Sequence, residues 1–401
     1  MRHTGCNDKL EKYTEEVKRF EQELEERHQR QMREEMRAYL EGLDREASQE
    51  VVGYGGYESR GLRKRKILSR VGLVEVRGRC YENRRGHRIY PLRDICGIGA
   101  ETEGGRRRCV RVAVERPYGW SAELLREELG MGLSRMRLWK IVQEEGRQRQ
   151  RQLEEERAKI YEQARIGRDG RASEVMPTME LDGTMIASRE ARERDQYGRK
   201  RMEVKVGVLF WGTQGLGKRK RKKTVQRSVY ARISDVETFG EEWYAHCRKA
   251  GLGHEQRVHC IADGGGWIGT VREGHFPGSR YTLDLYHLKK RAREVLLEHQ
   301  SKRFVALVRT GLVRTAIDYL GSLWPSDSRH REALSEFRQY VEQNREGLHY
   351  EAGAIWGSGV IEKMVDVVVG KRMKRQGMSW SKQGANNLLA LRCHRINSIA
   401  A

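Results

Sequence analysis

Long apolar runs are missing from this sequence. No stretch approaches the ~18–20 consecutive apolar residues that a bilayer-crossing helix needs, which excludes a helical membrane protein. The opening MRHTGCNDKLEKY has no apolar segment and does not read as a signal peptide. Cysteine is sparse and poorly spaced. The seven thiols (Cys6, Cys80, Cys96, Cys109, Cys247, Cys260 and Cys393) form an odd set with no C-x-x-C pair, which argues against a disulfide framework or a Cys-based zinc site. Cys80 and Cys96 with His87 between them make at most half a metal site, and buried thiols are the simpler reading. A reducing cytoplasm fits. Negative charge is also short: 57 Asp and Glu face 79 Lys and Arg, leaving a formal charge of +22. A surplus of that size, gathered in clusters, favours a polyanion, because each Lys or Arg can meet a phosphate and release a counterion. DNA or RNA is the leading partner, with no membrane role.

The organisation follows from pattern. Residues 1–52 read as one long charged helix, free of proline, with Leu10, Tyr13, Val17, Phe20 and Leu24 three or four apart. Such a narrow stripe suits a partner helix and oligomerisation, or a helix solvated on its own chain. Residues 53–150 read as a basic β-hairpin followed by a helix–turn–helix. The hairpin carries Arg60, Arg63, Lys64, Arg65, Lys66, Arg84, Arg85 and Arg88. Ser121 and Ser134 are the expected helix caps, and Gly130-Met131-Gly132 the break between them. Arg135, Arg137 and Lys140 on the second helix are the expected major-groove or phosphate contacts, although a plain helical hairpin has the same pattern. Residues 151–175 read as a helical linker. From 176 the pattern becomes three strands, a helix, a strand, a helix and a strand, the order of an α/β ribonuclease-H-like domain over 176–300. Residues 301–354 read as an all-helical insertion and 355–401 as the domain's second part.

Two Asp-Gly pairs stand out, LDG at 181–183 and ADG at 262–264, each closing an apolar run. Ligand sites in open α/β sheets lie beyond the carboxyl ends of strands, and a following Gly lets the chain turn while the carboxylate projects. A third acid, Glu362, falls early in the helix of GSGVIEKMVDVVVGKRMK. Asp366, one turn on, is its rival. Asp182, Asp263 and Glu362 are thus the candidate catalytic, metal-binding carboxylates. Three hard oxygen ligands suit Mg²⁺ or Mn²⁺, and two ions about 3.5–4 Å apart can stabilise both oxygens of an in-line displacement at phosphorus. The basic run Lys218, Arg219, Lys220, Arg221, Lys222 and Lys223, and the later Lys371, Arg372, Lys374 and Arg375, are candidate DNA contacts.

The stretches LDGT (181–184), DGGGWI (263–268), LDLYH (283–287), GSGVIE (357–362) and GKRMKRQGMSWSKQGANNLLALR (370–392) resemble the DDE transposases of bacterial insertion sequences. The similarity is to the ISKra-like and ISLre-like groups and, more distantly, the Mutator-like enzymes, and covers roughly residues 60–397. It implies that Asp182, Asp263 and Glu362 are the metal ligands. It further implies that Asp284 and His287, matching an acid-x-x-His pattern, lie near the active site. One departure is Gly264-Gly265 where the family pattern has Gly-Ala. The resemblance implies strand cleavage at the terminal inverted repeats and transfer into target DNA by a homo-oligomer in a synaptic complex, in the bacterial cytoplasm at the nucleoid. A nuclease of the same fold that does not integrate, and a non-catalytic DNA- or RNA-binding protein, are the alternatives. Gly212–Lys218 matches G-x-x-x-x-G-K, but Arg219 stands where a phosphate-binding loop needs Ser or Thr, so a hairpin loop is expected. His287 suits either a ligand or proton shuttle, or a support by hydrogen bonding. Trp267 and Trp380 suit core packing better than base stacking.

Overall fold

Glu-, Arg- and Gln-rich sequence without proline carries the chain directly into a long helix, α1 (Thr4–Gly53). The computed structural model describes residues 4–165, 175–190, 194–195, 198–216, 221–253, 256–325, 327–350 and 357–400. After α1 come β1 (Tyr57–Ser69), β2 (Gly72–Asn83), the short β3 (Arg88–Ile89), α2 (Pro91–Asp94), α3 (Glu103–Ala113), α4 (Tyr118–Leu129) and α5 (Arg135–Arg165). Contacts divide the chain into two units, Met1–Glu144 and Glu145–Ala401.

In the first unit the end of α1 belongs to the hairpin's core. Leu40 packs with Ile67, Val74, Val76 and Leu92. Asp44, buried on the same helix, accepts Arg79 N–H at 2.9 Å. The helix expected as a separate region is therefore anchored by its last turns, while Tyr13, Val17 and Phe20 stay exposed. The β1–β2 hairpin is longer than the sequence suggested. Its β1 half presents Arg60, Arg63, Lys64 and Lys66 to solvent. Cys80 is buried, Cys96 is free, and the His87 ring pairs with the Tyr57 hydroxyl at 3.0 Å, so these residues pack separately.

The helix pair is present with two corrections. α4 starts at Tyr118, so Ser121 lies inside it and is buried. Gly130 closes α4 in the left-handed region (φ 57°), and Ser134 Oγ accepts Arg137 N–H at 3.2 Å as the cap of α5. α5 then runs unbroken to Arg165 and takes in the first part of the helical linker expected over 151–175, of which residues 166–174 lie outside the described residues. Gly146 lies inside it because Asn387 packs against its backbone: a Cβ there would meet Asn387 O at 2.6 Å.

The second unit is built on β4 (Thr178–Ala187), β5 (Arg201–Phe210), the hairpin β6 (Thr213–Leu216) and β7 (Arg221–Thr224), β8 (Ser228–Arg232), α6 (Val236–Lys249), β9 (His259–Ala262), α7 (Gly266–His275), β10 (Arg280–Leu283) and α8 (Leu285–Val295). The five-stranded sheet has the order β10-β9-β4-β5-β8. β10, β9 and β4 are mutually parallel, and β5 runs antiparallel to both β4 and β8. One face is apolar: Met179 and Leu181 join Phe239, Trp243 and Ile268 from α6 and α7. Gly207 lets the Trp243 ring lie directly on the strand, where a Cβ would come to 2.9 Å. The helices α9 (Glu298–Arg309), α10 (Val313–Ser322) and α11 (Ser328–Gln343) form a helical layer with α8 around Phe304, Val308, Phe337 and Val341.

The other face of the sheet takes α12 (Gly359–Val365), a π-turn (Asp366–Gly370), α13 (Lys371–Met373) and α14 (Lys382–Ala400). α12 packs on β4 and β5, and α14 on β8. Outer strand β8 is closed by side-chain amides. Asn397 accepts Val229 N–H and donates to Val229 O, both at 2.9 Å. Asn386 does the same for Ile233 at 2.9 and 3.0 Å.

Candidate active site at the sheet edge

Strand register assembles the site. β4 pairs with β9 as far as Glu180↔Ile261, and β9 with β10 as far as Ala262↔Leu283. Continuing both ladders sets Asp182, Asp263 and Asp284 side by side, at the carboxyl edge of three adjacent parallel strands. Asp263 follows β9 directly, as expected. Asp182 does not end its strand: β4 runs on to Ala187 beside β5 after β9 has stopped. The two glycines accordingly differ. Gly264 has φ +83°, and a Cβ there would come to 2.8 Å from Asn344 Oδ1, so it makes the turn that frees Asp263. Gly183 stays extended and leaves room for the Glu203 side chain.

Each acid has its own surroundings. Asp182 Oδ1 accepts Gly183 N–H at 2.7 Å. Burial, then the charge of Asp263, push its carboxyl up to about 6, and Glu362 adds to the rise. Asp263 Oδ1 accepts Gly265 N–H at 3.0 Å, while its carbonyl accepts the Tyr340 hydroxyl at 2.7 Å. Asp284 is buried and caps α8, accepting Tyr286 N–H at 2.6 Å on Oδ1. Its Oδ2 accepts Ser358 N–H at 2.7 Å and the Ser358 hydroxyl. Burial alone would raise this carboxyl, but the bonds from His287, Ser358 and Tyr286 prevail and bring it to about 2. His287 Nδ1 lies 3.3 Å from Asp284 Oδ2. Asp284 raises the imidazole's pKa above its ordinary value against the opposing effect of burial, with help from Asp263 and Glu362.

Glu362 projects from the first turn of α12 with an exposed side chain. Its charge is felt at Glu180, Asp182 and His287, which ties it to the acidic row. The rival Asp366 begins the π-turn and lies 3.6 Å from Lys371 Nζ. Among the described residues no three His, Cys, Asp or Glu side chains converge closely enough to hold a metal ion. The donors nearest to that role are Asp182 and Asp263. Their all-oxygen chemistry suits a hard divalent cation, and the upward shift at Asp182 marks a place where positive charge is favoured.

The candidate DNA contacts separate into groups. Arg135 and Lys140 are exposed on α5. Arg137 is turned inward to Ala100 O at 3.3 Å and Glu101 at 3.6 Å. Arg372 is buried with its guanidinium 5.4 Å from the centre of the Trp380 ring, so it packs the core. Lys371 and Arg375 remain exposed. Lys374 donates to Thr184 Oγ1 on β4. Burial lowers its pKa while Asp182 opposes that shift, so its amine belongs to the acidic site. Arg221, Lys222 and Lys223 lie on β7, whose antiparallel pairing with β6 puts Thr213–Leu216 of the G-x-x-x-x-G-K stretch in a strand. Lys218, Arg219 and Lys220 fall outside the described residues. Trp267 packs edge-on against Phe239, and Trp380 is buried with Nε1–H donating to Met373 O at 3.0 Å.

Sequence reasoning missed Glu180, fully buried on β4, whose Oε2 accepts Ile361 N–H at 2.7 Å. Burial pushes this carboxyl up to about 8. The signal was present: in MELDGT the acids at 180 and 182 share one face of a strand by its two-residue period.

A model of the family described as Uncharacterised protein family (UPF0236) matches residues 12–401. No curated protein matches the chain.

Proposed function

The chain belongs to the UPF0236 family, and we propose that it is a DNA transposase of the DDE type that cleaves strands at transposon ends and joins them to target DNA. The observation that carries this reading is the acidic row at the carboxyl edge of three parallel strands, with Glu362 on α12 near enough for its charge to act on Asp182. The strand order, with one antiparallel strand between β4 and β8, supports a ribonuclease-H-like reading of the sheet. The +22 charge, the exposed basic hairpin and exposed Arg135 and Lys140 support DNA as the partner.

Asp182, Asp263 and Glu362 are the residues that would hold Mg²⁺ or Mn²⁺, which when bound would stabilise the attacking and leaving oxygens of an in-line displacement at phosphorus. The chain's own groups prepare that site. Desolvation and the proximity of Asp263 keep Asp182 poised to favour a cation. Gly264 holds Asp263 in its turn. Asp284 raises the pKa of the His287 imidazole, which favours its charged form and so the approach of a phosphate. Lys374 brings an amine to the same edge. The reacting hydroxyl or water loses its proton toward the carboxylates.

The test is cleavage of DNA carrying the element's own ends, with Mg²⁺ or Mn²⁺, by wild type and by Asp182→Asn, Asp263→Asn and Glu362→Gln. All three variants should bind DNA and fail to cut. Joined products distinguish a transposase from a nuclease. Cutting by every variant at the wild-type rate would remove the catalytic reading.

A further inference from the structure

Helix α12 receives no side-chain cap from Ser358, the residue at its cap position. Carboxylates from the sheet hold its entry. Asp284 Oδ2 accepts Ser358 N–H at 2.7 Å, and its Oδ1 caps α8, so one side chain fixes the starts of two helices. Glu180 Oε2 accepts Ile361 N–H at 2.7 Å. Glu180 is fully buried, and among the described residues its Oε1 has no hydrogen-bond partner. A buried acid used through one oxygen is a costly way to fill a core, where an apolar side chain of similar volume costs less. What this acid provides is location. It shares a face of β4 with Asp182, about 7 Å away by the strand repeat. The amide it binds belongs to the residue directly before Glu362.

We propose that Glu180 is a positioning residue. Together with Asp284 it hangs the start of α12 from β4 and β10, and so sets where Glu362 stands relative to Asp182 and Asp263. Glu180 itself touches neither ion nor DNA. The inference rests on the carboxylate-site reading above for its purpose, but its geometry can be tested separately.

The variants are Glu180→Gln, which keeps the acceptor oxygen, Glu180→Met, which removes it at similar size, and Glu180→Asp, which keeps the acid but is one methylene too short. Hydrogen exchange is followed in the full chain over peptides covering 357–365, and Mn²⁺ binding by paramagnetic resonance. Losing the bond should speed exchange of these amides about tenfold in the Met and Asp variants, with Gln close to wild type. Mn²⁺ affinity should fall about tenfold or more in the same two variants, and Gln should restore it. Wild-type exchange in both Met and Asp variants would overturn the proposal, as would a Gln variant as impaired as Met. If exchange follows the expected order but wild type binds no Mn²⁺, the clamp stands and the metal reading falls. The Asp variant keeps the test decisive should Met fail to fold.

Discussion

Replacing Asp182 with Asn should make the protein more stable, and only above a certain pH. In the folded chain this carboxyl titrates near 6, against an ordinary value of 3.8. Between those two values the unfolded chain binds fewer protons than the folded one, so wild-type stability falls as pH rises through the window. Below the ordinary value both forms are protonated and nothing is lost; above about 6 the whole penalty is present. A shift of about two units corresponds to roughly 3 kcal/mol. Solvent at the sheet edge screens part of it, so that figure is an upper bound. Asn keeps the oxygen that accepts Gly183 N–H and removes only the charge. Thermal unfolding in EDTA at pH 4 and pH 7.5 reads the effect. At roughly 2–4 °C per kcal/mol for a unit of this size, the variant should melt several degrees above wild type at pH 7.5 and only about a degree or two above it at pH 4, near the foot of the window. Adding Mn²⁺ should raise the wild-type midpoint and leave the variant's unchanged. A variant melting at or below wild type at pH 7.5, or a difference indifferent to pH, would refute the idea that repulsion and desolvation are concentrated at Asp182.

Further outcomes follow from single contacts. Gly264→Ala places a Cβ 2.8 Å from Asn344 Oδ1 at φ +83° and should cost about 1–3 kcal/mol by denaturant titration. Trp380→Ala removes a buried ring whose backbone bridges to Ala187 O at 3.0 Å, and should cost about 3–5 kcal/mol in the same assay. Arg135→Ala with Lys140→Ala should weaken DNA binding regardless of sequence and lower the salt slope by about one per lost phosphate contact. Arg137→Ala should instead loosen the first unit, because Ala100 O loses a donor and Glu101 keeps only Arg106. Asn386→Ala with Asn397→Ala should leave β8 open and promote association, measured by light scattering.

The periodic elements were legible in the sequence. Four of the five strands of the sheet and helices α6 and α7 fall within a few residues of where alternation and capping put them, because those residues pack on one apolar face, while β4 runs on to Ala187. Register was not legible. Nothing in LDG says that the pairing with β9 ends at Glu180 while that with β5 continues past Asp182, so a mid-strand acid reads as a terminal one. Charge was also ambiguous. Arg137 and Arg372 look like their exposed neighbours in a basic string; Glu101, far back in the chain, turns the first inward, and the second is buried beside the Trp380 ring on the next turn of chain. Glu180 was passed over because its partner amide lies 181 residues away.

The amide seal on β8 has a consequence in time. Ile233 waits 153 residues for Asn386, and Val229 waits 168 for Asn397. At typical synthesis rates that interval is about 8–30 s, during which the outer hydrogen-bonding groups of a formed strand have no side chains to meet. Throughout it, nascent chains on one message carry the same open edge in close succession. The seal is therefore as much a deadline as a bond, and slower translation or a truncated message would be expected to cost yield through aggregation before it cost any catalytic rate.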